Sequence, residues 1–106
     1  AQQDEMLEVV SITKLALDIF NEGYIYFFSE KEEVIAKFDR TQLIRVVTNL
    51  VKNSIQAIEQ NEPENPRIEV NVTTEANKVK ITVMDNGIGV ASKNMDKIFE
   101  PKFTKK

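Results

Sequence analysis

Three short stretches of this chain carry residue types that can do chemistry. Asn49, Asn53 and Gln56 stand four and three apart, so on a helix their carboxamides share one side. Asparagine is a poor helix former because its amide competes for nearby backbone groups, so two of them one turn apart in a half-buried helix need partners. Two readings stay open. The amides hydrogen-bond a neighbouring loop, as buried polar groups usually do, or their oxygens face a bound cation or ligand. A hard Mg²⁺ ion takes oxygen ligands and keeps several waters, so one amide beside ligand phosphates would suffice.

The second stretch is Asp85-Asn86-Gly87-Ile88-Gly89, directly after a predicted strand. Asn-Gly is the strongest two-residue hairpin signal, and a hairpin requires a strand to follow. The residues that follow, Ser92 to Phe99, read instead as one or two turns of helix capped by Ser92. That favours a strand-end carboxylate followed by glycines that let the backbone approach a flat ligand. The third stretch, Ile98 to Thr104, sets Phe99 and Phe103 around Pro101. It is either a hydrophobic clasp on the core or a lid that hinges near a ligand.

What is missing narrows the chemistry further. The 106 residues contain no Cys and no His, which excludes a disulfide framework, a thiolate nucleophile, a His-metal site and a Ser-His-Asp or Cys-His hydrolase within the chain. Fourteen Lys and Arg against 17 Asp and Glu give a net charge of −3, so no general nucleic-acid surface is expected. The longest apolar-aromatic run, Tyr24 to Phe28, is far too short to cross a bilayer, and direct membrane contact is not expected. A cysteine-free acidic domain of this size suits the cytoplasm and has room for one core.

The elements that must position these residues follow from periodicity. Residues from about Asp4 to Asn21 predict a heavily buried helix, with Val9, Ile12, Ala16 and Ile19 on one face. Tyr24–Ser29 and Val34–Phe38 predict a hairpin across a charged turn. A second helix starts at Asp39 as N-cap, with Gln42 placed for a capping box, and buries Leu43, Val47, Leu50, Ser54, Ala57 and Ile58. The loop at 61–66, with two prolines, ends it. Ile68, Val70 and Val72, then Val79, Ile81 and Val83, alternate with polar residues and predict two antiparallel strands joined near Ala76 and Asn77. Each strand has one wet face, so helices cover one side of the sheet in a two-layer α+β sandwich over residues 1–106.

In this order, the three stretches resemble the ATP-binding domain of bacterial sensor histidine kinases. That domain belongs to the superfamily shared with DNA gyrase and the heat-shock chaperone ATPase (GHKL, the Bergerat fold). Asn49-Leu-Val-Lys-Asn53-Ser-Ile-Gln56-Ala57-Ile58 looks like the N box, Asp85-Asn-Gly87-Ile-Gly89 like the first glycine box, and Ile98-Phe-Glu-Pro101-Lys-Phe103-Thr like the F box. The Gln-Ala after the N-box asparagine and the Phe-Glu-Pro are similar to the nitrogen-regulation type of sensor kinase. The resemblance implies a mixed, mostly antiparallel sheet and the cofactors ATP and Mg²⁺. It implies that Asn53 ligates Mg²⁺, with Asn49 one turn before it near the phosphates. Asp85 would accept a hydrogen bond from the adenine amino group, Gly87 and Gly89 would make room for the base, and Ala57, Ile88 and Ile68 would wall it. Phe99 and Phe103 would anchor the lid. The implied partners are a histidine-bearing dimerisation domain of the same cytoplasmic or membrane-anchored parent, and a downstream response regulator.

Two departures refine this. Hydrolytic members of the superfamily carry a water-activating glutamate where this chain has Asn49, which argues against self-contained hydrolysis and for a kinase. Gln56 stands where many kinases place a phosphate-contacting lysine, so modest phosphate affinity is expected. With no histidine, the phosphoacceptor is expected outside this stretch. The family continues past the F box into a second glycine box, so the sequence reads as a C-terminally incomplete domain with weak or no ATP affinity. An exposed sheet edge is then expected to suit a second copy in a homo-oligomer. The alternative is a non-catalytic interaction module of the same fold with a degenerate nucleotide pocket.

Overall fold

A computed structural model describes residues 4–76, 78–87, 90–95 and 99–100, with side chains through Gly87. The element order is β1 (Asp4–Glu8), α1 (Val9–Leu17), β2 (Ile25–Ser29), β3 (Ile35–Asp39), α2 (Arg40–Asn61), β4 (Ile68–Glu75), β5 (Lys78–Asp85), β6 (Val90–Met95) and β7 (Phe99–Glu100). A four-stranded sheet runs β2-β4-β5-β6, with β2 parallel to β4 and the other pairs antiparallel. A smaller antiparallel sheet runs β1-β3-β7. The mixed sheet and the α+β class are as expected.

The alternating strands set the core. Ile68, Val70, Val72, Val79, Ile81 and Val83 are all fully buried, and the register pairs Val70 with Val83 and Val72 with Ile81. Against that face lies the stripe of α2: Leu43, Val47, Val51, Ser54, Ile55 and Ile58 are buried, with Leu50 packed at the margin and Ala57 half-buried. Asp39 caps α2 as predicted, its Oδ1 accepting from Thr41 N at 2.9 Å and Gln42 N at 3.2 Å. At the other end Glu62 takes a left-handed conformation (φ 47°), and its N–H donates to Ile58 O at 2.7 Å.

The predicted helix over 4–21 is corrected at both ends. Asp4–Glu8 is a strand, paired with Asp39–Ile35. Helix α1 begins where the Glu8 carboxylate folds over its first turn, accepting from Val10 N at 3.0 Å, Ser11 N at 2.8 Å and Ser11 Oγ at 2.6 Å. The same carboxylate accepts from Val34 N at 2.8 Å, which ties the helix start to the approach to β3. The helix stops at Leu17, so Val9, Ile12 and Ala16 are buried as expected while Ile19 is 62% exposed.

The predicted hairpin of 24–29 and 34–38 is also corrected. Those strands enter different sheets, β2 beside β4 and β3 between β1 and β7. A turn signal reports only that the chain reverses, and here the stronger apolar partner for β2 is the sixfold-buried β4–β5 ladder. The helix predicted from Ser92 is a strand instead: Val90–Met95 pairs antiparallel with Met84–Val79. Pairing satisfies the backbone edge of β5, and that outweighs the helix-cap signal of Ser92. The hairpin reading of Asn86-Gly87 therefore holds for the topology.

Candidate functional site

The site is built where the end of β5 meets the C-terminal part of α2. Asp85 closes β5 opposite Ile68, the first residue of β4. Its Oδ1 accepts from Gly87 N at 2.8 Å, which folds the carboxylate over the turn that follows. Gly87 lies directly on the helix. A Cβ placed there would sit 2.8 Å from Ala57 C, 2.8 Å from Ile58 N and 2.9 Å from Ala57 O. Such contacts are too close for any real side chain, so this position requires glycine.

That requirement is one of space rather than backbone angle. Among the described residues no glycine has positive φ, so Asn86-Gly87 does not form the primed turn that its sequence signals. The closeness expected between glycine and a flat ligand is, at Gly87, closeness to the backbone of α2. The consequence is the same juxtaposition: the N-box helix and the Asp85 loop touch through Ala57 and Gly87.

From Ala57 the helix carries the two asparagines back towards its N-terminus. At 1.5 Å per residue, Asn53 lies roughly 6 Å and Asn49 roughly 12 Å along the axis. Asn49, Asn53 and Gln56 are all exposed, and among the described residues none of their amides has a hydrogen-bond partner. The reading in which they satisfy a neighbouring loop thus finds no such contact among the described residues. Ile68, expected as a wall, is fully buried in the sheet core beneath Asp85. Ile88, Gly89 and Phe103 lie outside the described residues, and of Phe99 only its place in β7 is described.

The residue that sequence reasoning passed over is Asn86. Its N–H donates to Arg67 O at 3.3 Å, its Oδ1 accepts from Arg67 N at 2.9 Å, and its Nδ2 donates to Asn65 O at 2.6 Å. Arg67 in turn stacks its guanidinium 4.2 Å from the Tyr26 ring centroid and pairs with Glu69 at 2.7 Å. The only available signal was Asn in a turn, which does not specify a partner 21 residues away.

The donor set suits a nucleotide with its metal better than a metal alone. Among the described residues no group of three or more His, Cys, Asp or Glu side chains could hold a metal ion. A cation here would rely on amide oxygens together with phosphates and water, as Mg²⁺ sites on phosphorylated ligands do. The titration shifts lie elsewhere. Burial pushes the Glu8 carboxyl up, but its hydrogen bonds from Ser11, Val34 and Val10 outweigh that and hold it below the ordinary 4.5. Burial, with Glu22 and Glu59 adding, raises the Tyr24 phenol above 10.0. A groove of about 400 Å³ between α1 and β2 is bordered by Lys14, Leu17, Asp18, Phe20, Glu22 and Phe27, and none of the residues of the Asp85 loop or of the Asn49–Ala57 stretch lines it.

Comparison with known proteins supplies a family and a fold. The profile of the family described as histidine kinase-, DNA gyrase B-, and HSP90-like ATPase matches residues 38–106, from the α2 cap through the Asp85 loop and beyond. The chain belongs to that family. It is a family of ATP-binding domains, so ATP is the nucleotide concerned. The chain is 27% identical to sporulation kinase A of Bacillus subtilis over 114 residues, covering 99% of this chain and 18% of the kinase. It is 41% identical to the sensor histidine kinase ZraS of Escherichia coli over 68 residues, covering 64% of this chain and 14% of ZraS. It therefore spans less than a fifth of the length of these curated relatives. Its fold matches the catalytic domain of the histidine kinase ThkA at a TM-score of 0.71 and 22% identity, over 82% of this chain and 61% of that domain. ThkA in complex with the response regulator TrrA matches at 0.63 and 24% identity, over 77% and 25%.

Proposed function

We propose that this chain is the ATP-binding part of a two-component sensor histidine kinase of the nitrogen-regulation-like type. The parent transfers the γ-phosphoryl group of ATP to a histidine on a separate dimerisation domain, and a response regulator receives it. The observation that carries this reading is the Ala57–Gly87 contact, which brings the loop after Asp85 against α2, the helix that bears Asn49 and Asn53. The kinase branch is favoured over the hydrolytic one by Asn49, whose amide cannot act as a base towards water. The absence of histidine from the 106 residues is consistent with a phosphoacceptor on another domain.

Each residue then has a role that its chemistry permits. An ionised Asp85 is acceptor-only and suits an exocyclic amino group. Ala57 presents a small apolar surface at the base, and Asn53 offers an amide oxygen to Mg²⁺ while Asn49 faces the phosphates. Mg²⁺, when bound, neutralises phosphate charge, and what remains for the protein is chiefly positioning. Ile88, Gly89, Phe99 and Phe103 complete the assignment as base wall and lid. Among the described residues no helix is long and apolar enough to cross a membrane, and a cytoplasmic placement of the domain fits that. The sheet edge at β2, with Tyr26 and Phe28 exposed, is where a second copy would add in a homo-oligomer.

The metal assignment is tested by calorimetric titration with ATP, with and without Mg²⁺. The expected result is that removing Mg²⁺ weakens binding to the native sequence, whereas Asn53→Ala binds equally weakly with or without it. Full Mg²⁺ dependence in Asn53→Ala would remove that residue from the metal site.

A further inference from the structure

We infer that Asn86 is the positioning residue that aims Asp85 at its ligand, by taking over the end of the β4–β5 ladder with its side chain. The ladder proper ends at the pair Ile68 and Asp85. One step further, Asn86 N–H still donates to Arg67 O at 3.3 Å, as a continuing strand would. The reciprocal bond is different: Arg67 N–H is accepted by the side-chain oxygen of Asn86 at 2.9 Å, not by a main-chain carbonyl. A side chain standing in for the main chain satisfies Arg67 while leaving the backbone free to turn away. The chain uses that freedom at once, because the next residue, Gly87, lies on the helix backbone at Ala57 and Ile58.

The other end of the same carboxamide donates to Asn65 O at 2.6 Å, so both halves of the amide are committed to the segment that leaves α2. Asn86 is exposed, so burial does not explain these bonds. Their effect is geometric: three hydrogen bonds fix the residue between Asp85 and Gly87, and the Asp85–Gly87 bond of 2.8 Å can then hold the carboxylate in one orientation. No shorter residue can do this. Serine or alanine loses one or both ends, and aspartate keeps the acceptor for Arg67 but loses the donor to Asn65.

This inference rests on the reading of Asp85 as the acceptor for the adenine amino group, and the test separates the two. The probes are Mg-ATP and Mg-purine riboside triphosphate, which lacks the 6-amino group, titrated into the ¹⁵N-labelled chain by NMR. The native sequence should prefer ATP by about tenfold, the worth of a hydrogen bond to a charged acceptor. Asp85→Ala, which removes the acceptor altogether, should abolish the preference. If it does not, the adenine reading falls, and with it the positioning role. Asn86→Ala should also abolish most of the preference and speed hydrogen exchange at Gly87 N–H, which donates to Asp85 and not to the Asn86 side chain. Asn86→Asp should restore part of both. If Asn86→Ala merely lowers thermal stability while the preference and the Gly87 exchange rate stay native, Asn86 is a structural turn residue and the inference is wrong. Should Asn86→Ala not fold, Asn86→Asp decides alone, since partial loss supports the role and none overturns it.

Discussion

At the scale of single residues, the account depends on side chains that replace or exclude backbone. Gly87 is the sharpest case, because any Cβ meets the carbonyl carbon and oxygen of Ala57 and the nitrogen of Ile58 within 2.9 Å. Gly87→Ala should therefore destabilise the domain by about 1–3 kcal/mol, the range for forced overpacking, as measured by urea denaturation. An unchanged midpoint would mean that the loop does not rest on α2. Glu8 provides a second test, through pH. Its carboxyl titrates below 4.5 in the folded chain, so below that pH the unfolded state binds more protons. The stability it contributes is present above 4.5 and is lost as pH falls through the lower folded value. Glu8→Gln should cost about 1 kcal/mol at pH 7, typical of a lost cap, and the difference from the native chain should shrink below pH 4. Denaturation curves at pH 7, 4 and 3 decide it.

At the scale of elements, the strands with strict alternation and the long capped helix were legible, and the short or mixed segments were not. Val70, Val72, Ile81 and Val83 alternate with polar neighbours, and α2 opens on an aspartate with an apolar stripe behind it, so local sequence and tertiary burial agree there. Residues 4–8 failed because their break from α1 is made by Glu8, a weak cap by type that succeeds here by also binding Val34 across 26 residues. The 24–38 segment failed because a turn signal cannot say which sheet each strand will join. Val90–Met95 carries little strand character of its own and is held by pairing with β5. The C-terminal end of α2 yields an element-scale prediction. Glu62 holds a left-handed conformation that costs a side-chain-bearing residue roughly 1 kcal/mol or more, so Glu62→Gly should stabilise the domain by about that amount. A thermal melt showing no gain would place the strain elsewhere.

At the scale of the whole molecule, the first of the three stretches and the second as far as Gly87 are described with their side chains, and the structure brings Ala57 of the first against Gly87 of the second. What the sequence could not supply was how they meet. The Ala57–Gly87 contact joins residues 30 apart, and the Asn86 clamp reaches Asn65, which no local pattern encodes. The fold explains why the line along α2 is open: its apolar stripe is committed to the sheet, leaving Asn49, Asn53 and Gln56 outward. Membership in the histidine kinase-, DNA gyrase B-, and HSP90-like ATPase family makes ATP the nucleotide concerned, and we propose that it binds along this open line.

The most direct test of that claim is amide chemical-shift mapping of the ¹⁵N-labelled chain during titration with Mg-ATP. The account predicts that the largest changes fall on Asn49, Asn53, Ala57, Asp85 and Gly87. Changes centred on Lys14, Leu17, Phe20 and Phe27, with the α2 and Asp85 amides unmoved, would contradict it and move the nucleotide to the groove beside β2.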